Sequence, residues 1–195
     1  MLAGQAIVAA MSSARHPSHL PMSEHEPTAA TNLDRYGNDA LPWSRARDVL
    51  PASFTKMEIP VFLGTASPDG RPHSSGIGAG WHEGEIYFTS GPGTRKSHNL
   101  AANPACTISV RIPGLDLTME GEAHRVTDVG TVERLAAHYA AEGWPAESDG
   151  EGGLTAPFSA PSAGPPPWHL YRFTLRTAVG VATAEPHGAT RWTFS

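Results

Sequence analysis

The run Phe88-Thr89-Ser90-Gly91-Pro92-Gly93-Thr94-Arg95-Lys96 carries the densest chemistry in the chain. A β-prone stretch ends in hydroxyls, a Gly-Pro-Gly loop follows, and two cations stand where a helix would begin. Free backbone N–H groups and the helix dipole attract an anion at such a place. Arginine adds a bidentate fork and lysine a point charge, so the segment suits a phosphate. Without an anion, cations at a helix start oppose the dipole, and that mismatch favours a binding role over two solvated side chains.

Other reactive residue types give weaker signals. None of the ten histidines sits at a tight ligand spacing with Cys, Asp or Glu, so no metal site is expected. His16, His19 and His25 fall in an irregular N-terminal stretch. His98 and His169 are placed to approach a substrate and tune proton transfer, although ordinary polar contacts explain them as well. Cys106 is the single cysteine, which excludes an internal disulfide or a paired redox motif. It reads as a small core residue in a protein of the reducing cytoplasm. Trp168, Tyr171, Phe173 and Trp192 alternate in a way that suits packing or an interface, with Trp192 near the bound ligand.

These residues need a framework of short strands. The apolar run Val61–Ala66 leads into Pro68-Asp69-Gly70-Arg71-Pro72, whose proline and glycine predict a hairpin turn. The return strand, His73–Trp81, is rich in Ser and Gly, which weakens a strand unless a backbone or ligand must come close. Glu83-Gly84 makes the next turn before the strand Ile86–Thr89. Thr94–Ala102 reads as a helix ending at Asn103-Pro104. Cys106–Ile112 and Leu117–Val126 form a second hairpin around Pro113–Asp116, with Met119, Gly121 and Ala123 on one face. Asp128 caps a helix whose Val132, Leu135, Ala136 and Tyr139 form one apolar stripe. Trp168–Thr183 and Arg191–Phe194 close the chain as strands. Upstream, Ser44 should cap a short helix that Pro51 stops.

Length and charge bound the rest. A chain of 195 residues supports one well-filled core, and 20 Gly with 18 Pro suit tight turns better than a helical bundle. The domain is expected over 41–195, preceded by a flexible tail over 1–40. A segment over 143–167, too long for a connector, is a lid or a mobile loop. The opening MLAGQAIVAAMSS has no basic start and falls short of the about 20 apolar residues of a membrane span. Met11 and Met22 are alternative starts. A net charge of −5 argues against coating nucleic acid or an anionic membrane.

The order Asp69-Gly70-Arg71-Pro72-His73, Phe88-Thr89, Thr94-Arg95-Lys96, Leu100 and Asn103-Pro104 resembles the pyridoxamine 5'-phosphate oxidase-like superfamily. The resemblance extends at lower specificity from about Trp43 to Phe194. It implies a mainly β fold: a six-stranded antiparallel Greek-key split β-barrel, the FMN-binding split barrel, with a few short helices. It also implies a homodimer with cofactor sites at the interface. In that pattern Thr89, Thr94, Arg95 and Lys96 bind the cofactor phosphate, while backbone from Ser74 through Ser75 to Gly76 faces the ring. Phe88, Ser90, Asn99 and Trp192 complete the candidate set. Two departures point away from pyridoxamine phosphate itself: the second strand offers only His73 as a basic residue, and Thr190-Arg191-Trp192 replaces the family's C-terminal Arg-x-His. The Lys96-Ser97-His98-Asn99-Leu100 run is similar to the actinobacterial flavin/deazaflavin oxidoreductase branch. The implied cofactor is FMN or coenzyme F-420, a deazaflavin, and the implied activity is hydride transfer with a small organic substrate. The alternative is a non-catalytic flavin, deazaflavin or haem carrier.

Overall fold

A computed structural model describes residues 26–54 and 59–195. Met11, Met22 and the first three histidines lie outside the described residues. The elements in chain order are β1 (Ala29–Asn32), α1 (Ser44–Arg47), α2 (Leu50–Phe54), β2 (Val61–Ala66), β3 (Pro72–Ile77), β4 (Ala79–His82), β5 (Glu85–Ser90), α3 (Arg95–Ala102), β6 (Ala105–Ile112), β7 (Leu115–Val126), α4 (Val129–Ala141), β8 (Glu147–Ser148), β9 (Gly153–Thr155), β10 (Trp168–Ala182) and β11 (Ala189–Thr193).

Six long strands close a ring through antiparallel pairs. β2 pairs with β3, β4 with β5, β5 with β10, β10 with β7, β7 with β6, and β6 with β2. β3 and β4 are two arms of the single return strand expected over His73–Trp81, broken at Gly78 so that each arm serves a different neighbour. The chain passes from β5 across to β6 through α3 instead of adding the next strand beside it, which makes the connection a Greek key. Among the described residues β3 pairs only with β2 and β4 only with β5, so the ring is joined there by the chain itself and not by a ladder.

Period-two alternation fixes which side chains fill the ring. In β2, Val61, Leu63 and Thr65 are buried while Phe62 faces out and is 47% exposed. Ile86 and Phe88 from β5, Ile108 and Val110 from β6, Met119 and Ala123 from β7, and Phe173 from β10 join the same core. A second core lies outside the barrel, where the stripe Val132, Leu135, Ala136 and Tyr139 of α4 covers Tyr87, Leu154 and Leu170. Burying Val132 and Leu135 contributes roughly 1.5–3 kcal/mol each. Asp128 caps this helix as its sequence predicts, accepting from the Thr131 N–H at 2.8 Å. The β4–β5 turn uses Glu83 at φ 49° and Gly84 at φ 81°, the paired positive angles of a two-residue hairpin.

Three expectations change. The segment before Leu41 is not all tail, because Ala29–Asn32 pairs with β11; its four exposed residues gave no apolar period to read. Pro51 does not stop a helix but sits second in α2, where a missing N–H costs nothing. Accordingly, α1 ends at Arg47, and Trp43 rather than Ser44 stands at its cap position without a side-chain bond. The stretch over 143–167 is not all loop: β8 pairs with β9, and β9 lies against Trp168 and His169 of β10.

One half-buried contact gives the fold a pH response. The His82 and His138 rings stand 4.4 Å apart between β4 and α4. Burial first, then His138, holds His82 below its ordinary pKa; Arg134 adds to this, and Glu83 and Glu142 oppose it. An unfolded His82 takes up its proton near pH 6.5 while the folded one resists, so stability is lost as pH falls below that value. Urea midpoints should therefore drop between pH 7 and pH 5, and drop less in His82→Asn; parallel curves for the two proteins would refute this account.

Candidate functional site

The end of β5, the Gly91–Gly93 loop and the first turn of α3 form one hydrogen-bonded unit. Thr94 caps α3 by accepting from the Ser97 N–H at 3.3 Å. Its hydroxyl also lies 2.8 Å from that of Ser90 and donates to the Gly91 carbonyl at 2.9 Å. The Ser97 hydroxyl lies 2.8 Å from both Ser90 Oγ and the Gly91 oxygen. Asn99 ties the helix to the barrel by donating from Nδ2 to Thr65 Oγ1 at 2.9 Å. The unit is rigid because each short side chain satisfies a loop group that would otherwise be unpaired.

This unit forms one wall of a cavity of about 720 Å³. Gly93, Thr94, Arg95 and Lys96 meet His73, Ser75 and Gly76 of β3 across it, and the turn Pro161–Gly164 supplies the third wall. Neither Arg95 nor Lys96 makes an ion pair among the described residues. Lys96 is only 8% exposed, and desolvation lowers its pKa, so the folded protein holds a cation whose charge is not compensated. On the opposite wall, Ser75 Oγ and His73 Nδ1 are buried without a hydrogen-bond partner among the described residues. Two uncompensated cations and two orphaned polar atoms around one space are what an anionic polar ligand would satisfy.

Of the candidate residues, Ser75, Gly76, Thr94, Arg95 and Lys96 come together here. Ser74 points from the other face of β3 into a larger groove of about 960 Å³, a mostly apolar surface in which Glu120 is the one carboxylate. Thr89 is half-buried opposite Leu170 and does not line the cavity. The Phe88 ring lies in the core, stacked on Tyr171 at 5.2 Å and 7°. Ser90 and Asn99 are buried and hold the loop and helix in place.

Trp192 corrects the expectation that placed it beside a ligand. It is 1% exposed, packs on Trp43, which in turn meets Phe194 edge-on, and donates from Nε1 to the Leu41 oxygen at 3.2 Å. An indole that is buried with its N–H satisfied has no surface left for a ligand. Sequence reasoning missed two parts of the cavity. His73 was legible, since alternation puts it on the face of Ser75. Pro161–Gly164 was not, because its place depends on a distant contact: a Cβ on Gly91 would collide with the Ala163 carbonyl oxygen.

Cys106 is buried as expected, and burial pushes its thiol up to about 12, which keeps it protonated. Among the described residues no group of three or more His, Cys, Asp or Glu is arranged to hold a metal ion, and no helix is long and apolar enough to cross a membrane.

Residues 52–176 match the family pattern described as pyridoxamine 5'-phosphate oxidase. The chain belongs to this family. The family binds flavin, and the cavity described above falls inside the matched span. No curated protein matches the chain closely enough to extend the comparison. Among solved structures, a pyridoxamine 5'-phosphate oxidase-related, FMN-binding protein from Nostoc punctiforme is 17% identical, covers 76% of this chain and 88% of its own, and superposes with a TM-score of 0.51. That likeness establishes the split-barrel fold. A NimC/NimA family protein from Clostridium acetobutylicum is 16% identical over 76% of this chain and 92% of its own, with a TM-score of 0.48. An F420 reductase is 21% identical over 65% and 93%, with a TM-score of 0.43.

The Gly91–Ala163 approach makes a direct test of how the cavity is walled. Gly91→Ala forces the 160–164 turn outward and should cost about 1–3 kcal/mol, the usual range for overpacking. Urea denaturation measures the loss and limited proteolysis the displacement; an unchanged midpoint with an uncut turn would show that this contact does not hold the wall.

Proposed function

We propose that this member of the pyridoxamine 5'-phosphate oxidase family is an oxidoreductase that binds FMN or the deazaflavin coenzyme F-420 and passes hydride to or from a small organic substrate. The observation carrying this reading is the cavity that sets Arg95 and Lys96, without counter-charge, opposite the orphaned Ser75 Oγ and His73 Nδ1. The residues fit a phosphate-bearing cofactor because two cations without an ion pair and two unpartnered polar atoms line one space.

When bound, such a cofactor supplies the hydride chemistry at its ring. The protein's task is then position and electrostatics. Arg95 and Lys96 neutralise the phosphate, and the capped start of α3 adds its dipole. Gly76 leaves room for a flat ring beside the β3 backbone, and Ser75 and His73 give that ring or its side chain fixed polar partners. The Pro161–Gly164 turn shields the space from water. The homodimer implied by the resemblance is part of the same proposal. The exposed Phe62 and the apolar groove along β2, β3 and β6 suit a second copy of the chain.

Purified protein should carry a chromophore identifiable by absorbance and mass, and titration of FMN and F-420 separately assigns the cofactor. Arg95→Ala and Lys96→Ala should each weaken binding about 10–100-fold, the equivalent of one charge-assisted hydrogen bond. Undiminished affinity in the double variant would remove this cavity from the mechanism. Tight binding without reduction or reoxidation across a substrate panel would make the protein a carrier. In sedimentation experiments the wild type should run as a dimer and Phe62→Asp should shift it toward monomer; a monomeric wild type contradicts the assembly.

A further inference from the structure

A second cavity, of about 370 Å³, opens beyond the same loop. Helix α3 serves both spaces: Arg95 and Lys96 line the first, and Ser97 and His98 line the second. The facing wall comes from the ends of β7 and β10. Their register sets Arg125 directly opposite Tyr171, and His169 stands two residues before Tyr171 on the same face of β10. The Tyr171 hydroxyl lies 3.5 Å from His169 Nδ1. Thus His98 and His169, far apart in sequence, line one space.

The lining is divided. Leu100, Ala123 and the Tyr171 ring form an apolar floor, all of it buried. Above it stand Arg125 and the imidazoles. Arg125 is exposed, and its charge helps to lower the pKa of the Asp149 carboxyl, but it makes no side-chain hydrogen bond or ion pair among the described residues. Its charge, after burial, helps to hold His169 below its ordinary pKa, which leaves a neutral ring able to share a hydrogen bond. His124 also lines the space, but Glu122 engages its Nε2 at 3.0 Å. The cavity therefore offers an anion a guanidinium that no side chain holds in an ion pair, with polar partners at its sides and apolar surface beneath.

We propose that this second cavity binds a small organic carboxylate, with the Arg125 guanidinium pairing the carboxylate and the apolar part of the ligand lying on Leu100, Ala123 and Tyr171. A guanidinium fork matches a carboxylate bidentately. The volume falls in the usual range for small-molecule sites, about 300–1,000 Å³. An inorganic ion would satisfy Arg125 but leave the apolar floor bare, so the organic acid is the better match. The two cavities share no lining residue, so this site does not depend on the first cavity holding a flavin.

The test uses the full chain with benzoate and, separately, inorganic phosphate, read by imidazole resonances in heteronuclear NMR and by calorimetry. Benzoate should bind saturably, shift His98 and His169, and leave His73 unmoved. Arg125→Gln should weaken benzoate at least about tenfold, while Arg95→Ala should leave its affinity unchanged. Ala101→Leu, which narrows the cavity from α3, should weaken it too and gives an independent check should Arg125→Gln perturb the fold. Benzoate that shifts His73 instead, or binds Arg125→Gln and Ala101→Leu as tightly as wild type, overturns the proposal. Phosphate that shifts His98 and His169 as tightly as benzoate overturns the organic class of ligand.

Discussion

The strand Trp168–Ala182 changes neighbours along its length, and the architecture depends on that exchange. Its first half runs between β5 and β7, and its second half between β7 and β11. The switch occurs at Arg176, where the register with β7 slips between Leu175 and Thr177. A bulge leaves a residue outside the ladder and bends its strand; here the Arg176 carbonyl is recovered by the Phe194 N–H at 2.9 Å. The barrel closes through the first half. The second half carries the hairpin that anchors Trp192 and the early segment Ala29–Asn32. Without the bulge, one strand could not seal the ring and hold both termini of the described domain.

Charge is distributed with equal economy. The chain is acidic, yet the first turn of α3 concentrates cations where the loop before it is stitched by Ser90, Thr94 and Ser97. Successive residues of one helical turn face different spaces, so a single rigid element presents Arg95 and Lys96 to one cavity and His98 to the other. The hydroxyls of Ser90, Thr94 and Ser97 are the mortar of the loop, and Thr94 also lines the cavity. Short polar side chains that satisfy one another leave the long cationic ones free.

The barrel was largely legible because its determinants are local. Alternation in Val61–Ala66 and Leu115–Val126, with turn chemistry at Asp69-Gly70 and Glu83-Gly84, sets strand limits and facing without knowledge of partners. The same holds for Arg95 and Lys96, whose meaning comes from a loop and helix start a few residues long. Trp192 was misplaced because an aromatic on an alternating strand packs inward or faces a ligand according to what covers it, and Trp43 is remote in sequence. Ala29–Asn32 escaped notice for a related reason: it is held by edge pairing alone and buries nothing. The joining of His98 with His169 rests on the β7–β10 register, which no local pattern encodes.

The packing of Gly91 against Ala163 has a temporal side. A chain emerging from the ribosome makes the Gly-Pro-Gly loop early and the turn that walls it late, after β6, β7 and α4 have all been synthesised. Until then the cradle stands open on one flank, and β10, which completes the ring, comes later still. Chains cut short before Pro161 would keep the Arg-Lys pair but lack the third wall, so the two halves of the cradle are separable by length alone.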